Sequence, residues 1–179
     1  RERTGNDFSL YKKNTFNRRI ERRMGLHQIV KVVFYVRYLR ENPQELDLLF
    51  KELLIGVTNF FRDPDVWQKM CTKALPNLLT KYPAGKEMRA WVPACSTGEE
   101  AYSLAMIFKE TLEELKLQGK FSLQIFATDL DDDAIEKARL GFYPINIEAD
   151  VSPERIDRFF VKEANGYTIC KEIREMVIF

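Results

Sequence analysis

Arg89-Ala-Trp-Val-Pro-Ala-Cys-Ser-Thr-Gly-Glu-Glu-Ala-Tyr-Ser103 is the stretch that decides the fold, and Ala127-Thr-Asp129 closes a similar stretch some thirty residues later. Each is an apolar run ending in a turn, and each turn opens a helix-like segment. Met88 to Pro93 is the first strand, and Pro93 suits its end, where no ladder N–H is needed. Ser96-Thr-Gly-Glu99 and Thr97-Gly-Glu-Glu100 are overlapping capping boxes, so a helix is expected to start here and run through Leu104, Ala105, Phe108 and Leu112 toward Gly119. Leu123 to Thr128 is the second strand, and Asp129 lies at its carboxyl end. Asp131-Asp-Asp-Ala caps another helix, which Gly141 stops. Strand, turn, helix and strand in this order are the βαβ grammar of a nucleotide-type cofactor site.

The turns limit what can bind. A carboxylate at the end of the second strand can accept both hydroxyls of a ribose, which makes Asp129 the most specific single candidate. Gly98 and Asp129 are further apart than the roughly twenty residues of the dinucleotide fingerprint, and the first turn lacks that fingerprint's second and third glycines. Glu99 and Glu100 stand at the helix N-terminus, where a phosphate would otherwise be welcome. A ribonucleoside carrying positive charge fits better. S-adenosylmethionine has a ribose, a sulfonium and an ammonium, and no phosphate. On the residues alone, the other reading of the two glutamates is that they only cap the helix.

Upstream, Phe8, Tyr11, Thr15, Phe16, Ile20 and Met24 fall near helical spacing, with Lys12, Lys13, Arg18, Arg19, Arg22 and Arg23 between them. This is a basic amphipathic helix that Gly25 is expected to end. A second helix is expected from His27 to Arg40. His27 is the chain's single histidine and has no Cys, Asp or Glu at ligand spacing, so it reads as a packing or surface residue. Asn42-Pro43 starts a third helix with an apolar stripe of Leu46, Leu49, Phe50, Leu53 and Leu54. That pattern fails at Gly56-Val-Thr-Asn-Phe-Phe-Arg-Asp63, just before the helix start at Asp63-Pro64. There Phe60 and Phe61 would hold the Arg62 guanidinium at the rim of an apolar pocket, ready to grip a carboxylate; the plainer reading makes the two aromatics core and Arg62 a surface residue.

The first forty residues carry eleven Lys/Arg against three Asp/Glu, and since the whole chain is +1 the remainder is about seven units negative. A basic head on an acidic body suggests an anionic partner for the head. The plain alternative is a solvated face; for a docking surface, the lack of base-stacking aromatics among the charges favours an acidic protein segment over nucleic acid. No apolar run approaches the roughly 20 residues of a membrane span, and no signal-peptide pattern opens the chain. Three cysteines without metal-ligand spacing fit a reducing, cytoplasmic setting with no structural metal.

Thr58-Asn-Phe-Phe-Arg62, Cys95-Ser-Thr-Gly-Glu-Glu-Ala-Tyr-Ser103, Ala127-Thr-Asp129 and Ala138-Arg-Leu-Gly-Phe-Tyr143 together resemble the CheR family of chemotaxis-receptor glutamate O-methyltransferases. The resemblance covers nearly the whole chain, including Arg18-Arg-Ile-Glu-Arg-Arg-Met24, and the Trp91-Val-Pro-Ala form is most similar to the CheR-type domain of multidomain or CheB/CheR-fusion-like proteins. It implies S-adenosylmethionine as cofactor, with S-adenosylhomocysteine as product and no metal. It also implies methyl transfer to glutamates on the acidic helical segments of methyl-accepting receptors. Carried over by position, Thr58, Arg62, Ala94, Glu100 and Asp129 would line the cofactor pocket, with Glu99 the near alternative to Glu100. Arg62 would act in the reaction, either clamping the cofactor's carboxylate or orienting the substrate. Arg18, Arg19, Arg22 and Arg23 would dock the receptor. The family often has asparagine where this chain has Gly56, and that contact is not carried over.

The expected fold is therefore α/β. An N-terminal helical bundle (residues 1–62) and a linker helix and turn (63–86) lead into the first half of a doubly wound, Rossmann-like methyltransferase sheet (87–179). Residues 152–179 would form a small antiparallel β-subdomain and strand 3, around Asn165-Gly-Tyr-Thr-Ile169 and Met176 to Phe179. In the family more strands follow, so the chain is expected to be a fragment truncated at its C-terminus, weak or inactive, with an uncovered sheet edge open to self-association. The alternative function is a signalling module that keeps the fold without catalysis.

Overall fold

The computed structural model describes residues 13–54, 56 and 58–179, leaving aside the side chains of Lys13 and Thr15. Phe8, Tyr11 and Lys12 of the basic head lie outside the described residues. The chain divides into two compact units, one ending at residue 55 and the other spanning Gly56–Phe179. The division falls before Thr58-Asn-Phe-Phe-Arg62, so that motif belongs to the second unit rather than to the head.

The first unit holds α1 (Lys13–Leu26), α2 (Val32–Glu41) and α3 (Pro43–Leu53). Gly25 does not end α1; the chain turns two residues beyond the helix, at Gln28, whose φ is 56°. The second helix accordingly begins at Val32 instead of near His27. Met24, Tyr35, Leu49 and Leu53 form the interior, and a charged cluster is buried with them. Glu45, on α3, is 4% exposed. It accepts hydrogen bonds from Arg23 Nε at 2.9 Å, from Arg23 Nη2, and from Tyr35 Oη at 2.7 Å, while His27 Nε2 lies 2.8 Å away. Burial by itself would push the Glu45 carboxyl up, but the bonds from Arg23 and Tyr35, with His27 close beside them, outweigh it and hold the group at about 2.

The second unit begins with α4 (Pro64–Lys69), which passes through a π-helical turn (Met70–Ala74) into α5 (Leu75–Lys81). Pro76 has no N–H and would collide with a carbonyl of the preceding turn, which gives the widened turn a physical reason. Next come β1 (Glu87–Pro93), α6 (Glu99–Glu114), β2 (Ser122–Thr128), α7 (Asp132–Leu140) and β3 (Phe142–Pro144). A 3-10 turn (Ile145–Ala149), α8 (Pro153–Phe159), β4 (Phe160–Glu163), β5 (Gly166–Ile169), α9 (Lys171–Arg174) and β6 (Val177–Ile178) complete the unit.

Two sheets result: a parallel one in the order β1-β2-β6 and an antiparallel one in the order β3-β5-β4. The antiparallel sheet thus gains Phe142–Pro144 from outside the segment expected to form it. Pro144 pairs with Gly166, and a Cβ on Gly166 would meet the Tyr143 carbonyl oxygen at 2.1 Å. Glycine at this position lets the third strand in.

α6 is buried on nearly every side, from Ala101 to Phe108 and again at Thr111 and Leu112, as expected of a helix enclosed by other elements. It packs on the inner face of the parallel sheet, formed by Met88, Val92, Leu123, Ile125, Ala127 and Val177. On the outer face, Trp91, Phe126 and Ile178 are cross-strand neighbours and all are exposed. No helix among the described residues is long and apolar enough to cross a membrane.

Candidate functional site

Because β1 and β2 are parallel and in register, with Pro93 opposite Thr128, their carboxyl ends finish side by side. The ladder continues one step further, the amide of Cys95 donating to the Thr128 carbonyl at 3.0 Å. The amide of Ser96 then donates to Asp129 Oδ2 at 2.7 Å, and that of Asp131 to Asp129 Oδ1 at 2.9 Å. To make these bonds the chain winds tightly, with Ala94, Ser96 and Gly98 all in the left-handed region at φ 54°, 48° and 93°. Such backbone costs energy for residues other than glycine and persists where its surroundings enforce it.

The capping boxes do not form. Gly98 is the N-cap of α6 and supplies no side-chain cap. Thr97 Oγ1 instead donates to the Glu99 carboxylate, 2.7 Å from either oxygen. Glu99 faces inward at 9% exposure, whereas Glu100 is exposed. Burial pushes the Glu99 carboxyl up, and the Thr97 hydroxyl partly offsets this. Tyr143 Oη donates to the Thr97 carbonyl at 2.7 Å. Its phenol is pushed well up by burial and then by the charge of Glu99. Burial, followed by the charge of Asp129, raises the Cys95 thiol to about 11, which makes it an inert packing residue. The Ser96 hydroxyl is buried without a hydrogen-bond partner among the described residues.

Gly56 enters against this turn, since a Cβ there would come within 3.1 Å of Ser96 Oγ. From Gly56 the chain runs to half-buried Thr58, buried Phe60 and Phe61, and exposed Arg62. Phe60 packs edge-on against Tyr143 at 4.8 Å, and the Phe61 amide donates to Ser103 Oγ at 3.1 Å. A guanidinium does lie over the Phe61 ring, that of Arg155 on α8, 4.0 Å from its centroid and paired at 2.8 Å with both Glu110 oxygens. The sequence carries no signal for this, because Arg155 finds Glu110 forty-five residues away.

Ala94, Ser96, Glu99 and Asp129 are thus drawn together at the strand ends, with the segment leading to Thr58 and Arg62 starting against them. In the first unit Arg18 and Arg22 are exposed and Arg19 is half-buried. Arg23 is turned inward, 12% exposed and bonded to Glu45 and Glu52, and so is not available as a docking residue.

These residues fit a cationic ribonucleoside. Each Asp129 oxygen has spent one lone pair on a backbone amide, which fixes the carboxylate and leaves acceptor capacity for hydroxyls. Glu99 is a buried acid whose charge a cation would stabilise, and Ser96 has a hydroxyl to offer. No cluster of three or more metal-ligating side chains occurs among the described residues.

The family described as "CheR methyltransferase, SAM binding domain" matches residues 56–179, and "CheR methyltransferase, all-alpha domain" matches residues 1–54. An uncharacterized 104.1 kDa protein of Rhodobacter capsulatus is 41% identical over 174 residues, which is 97% of this chain and 18% of that protein. A chemotaxis protein methyltransferase of Listeria monocytogenes is 30% identical over 98% of this chain and 64% of its own length. The chemotaxis protein methyltransferase of Escherichia coli is 28% identical over 97% of this chain and 58% of its own length. The chain therefore spans less than two thirds of these relatives. With the all-alpha and SAM-binding domains matched in succession, and meeting where the two structural units meet, the chain belongs to the CheR methyltransferase family.

Proposed function

We propose that this chain is the head and cofactor-binding part of a cytoplasmic methyltransferase that esterifies glutamate side chains on methyl-accepting chemotaxis receptors. The observation that carries this reading is the bond from Ser96 to Asp129, which presents a fixed carboxylate beside the buried acid Glu99.

S-adenosylmethionine, when bound, supplies a methyl group activated by its sulfonium. Asp129 accepts from the ribose hydroxyls, Ala94 and Thr58 line the pocket, and Glu99 serves its cationic end. Solvent-facing Glu100 has the lesser claim to that role. Arg62 is exposed, which suits either of its roles: clamping the cofactor's carboxylate or orienting the substrate's. The substrate glutamate is ionised and nucleophilic at neutral pH, so the residues must align and desolvate it rather than remove a proton. Arg18, Arg19 and Arg22 meet the acidic receptor helix. The outer edge of β1 has no strand partner among the described residues, and it is the proposed route to self-association.

The test is calorimetric titration with S-adenosylhomocysteine, on this chain and on one extended to the length of its relatives. Saturable binding by the extended chain, abolished in Asp129→Ala, is the expected result. No binding by the extended chain would overturn the reading.

A further inference from the structure

The joint between α1 and α2 carries apolar side chains for which the first unit has no use. Val30 is 91% exposed, Val33 76%, Leu26 62% and Phe34 60%. Over the same stretch the fold is held by Met24, Tyr35 and half-buried Ile29. Single exposed apolar residues are ordinary, but these four, with Val32 at 55% among them, make five within nine positions, which is a patch.

The charge around the patch has one sign. Between Glu21 and Glu41 there is no acidic residue, while five Lys/Arg fall in the same interval. Arg23 is spent on Glu45, and Arg37 pairs with Glu41 at 2.9 Å. Arg22, Lys31 and Arg40 remain at the surface.

We propose that this joint docks on the surface of an anionic lipid bilayer. Leu26, Val30, Val33 and Phe34 enter the acyl boundary, while Lys31 and Arg40 lie among the headgroups. A lipid surface is favoured over a protein helix because side chains that line a groove are shielded by its walls. Val30 and Val33 are 91% and 76% exposed, and a fluid apolar phase needs no groove to receive them. Pairing of this joint with its own counterpart on a second copy is disfavoured by charge, since residues 13–54 carry nine Lys/Arg against five Asp/Glu and like units repel. A patch this small, combined with headgroup attraction, gives weak and reversible attachment. The inference goes beyond methyl transfer and does not depend on it.

The test is co-sedimentation of the 179-residue chain with vesicles of phosphatidylcholine alone and with vesicles containing phosphatidylglycerol as about a third of the lipid. Association with the anionic vesicles is expected. It should weaken by at least about tenfold on neutral vesicles, in Val30→Ser with Val33→Ser and Phe34→Ser, and in Lys31→Glu with Arg40→Glu. All five replaced side chains are exposed, and circular dichroism would verify that the helices persist. No association with either vesicle, or equal association with both, overturns the proposal. A triple serine variant that sediments like the parent also overturns it, because the basic residues would then act alone. Capture of an acidic amphipathic peptide through the same four apolar residues, without vesicle binding, would make the joint a protein-docking surface and likewise overturn it.

Discussion

The Ser96 amide reaches the Asp129 carboxylate at 2.7 Å across thirty-three positions of sequence. This bond, with the one from Asp131 to the other oxygen, makes the ends of two strands into one rigid element. Asp129→Asn keeps the size but turns one acceptor into a donor that faces a backbone amide. A loss of about 1–3 kcal/mol of stability is expected in denaturant unfolding, with at least about tenfold weaker S-adenosylhomocysteine binding. Unchanged stability would show that the carboxylate does not hold the turns.

Two glycines should respond oppositely to alanine. Gly98 has φ 93°, and a Cβ there would come within 3.0 Å of Ala138 Cβ and Phe179 Cζ. Gly98→Ala combines left-handed strain with overpacking and should cost about 2–4 kcal/mol. Gly25 lies within α1 with nothing inside 4 Å of its would-be Cβ. Gly25→Ala should therefore stabilise the chain by about 0.5–1 kcal/mol. Paired unfolding curves would check both values.

Glu99→Gln should separate stability from binding. Burial raises the Glu99 carboxyl in the folded chain. The stability this group contributes is therefore fully present below its unfolded value of roughly 4.3, and it is lost as pH rises through the folded value. Removing the buried charge should make the ligand-free chain more stable than the parent at pH about 7, with the gap closing toward pH about 4. Affinity for S-adenosylmethionine should fall more than affinity for S-adenosylhomocysteine, which lacks the sulfonium. Thermal melts at the two pH values and calorimetry with both ligands would show it.

Glu45 has the opposite sign. Its folded value is depressed to about 2, so its stability is present above the unfolded value and lost as pH falls toward 2. Glu45→Gln leaves the largely buried Arg23 guanidinium with the longer pair to Glu52, at 3.4 Å, in place of that to Glu45, at a cost of about 3 kcal/mol at neutral pH. The variant should also lose the parent's acid dependence between roughly pH 4.5 and 2. Helical circular dichroism followed against pH would measure both effects.

What the sequence made legible was whatever is local. Period and punctuation placed β1, β2 and α7 to within a residue or two and found the start of α6, which stops at Glu114, short of Gly119; Asp131 caps α7 as read, accepting from Asp133 and Ala134. The helix start at Ser96 to Glu100 was found but not its chemistry. The same serine, threonine and glutamate that spell a capping box are turned away by three left-handed residues. Long-range pairings were not legible: Phe142–Pro144 joins a sheet whose other strands begin at Phe160. Likewise Arg23 read as one more basic surface residue, because its partner Glu45 lies on another helix. A buried charge is known only by the neighbour that neutralises it.

Trp91 stands 70% exposed between solvent and the Phe126 ring position, its indole N–H donating to Thr128 Oγ1 at 3.1 Å. The only other tryptophan, Trp67, is packed edge-on against Phe61. The protein thus carries an intrinsic fluorophore on its bare sheet face and a shielded one as internal reference. Whatever covers that face should shift the red-edge emission of Trp91 toward the blue and protect it from aqueous quenchers, leaving the Trp67 signal in place.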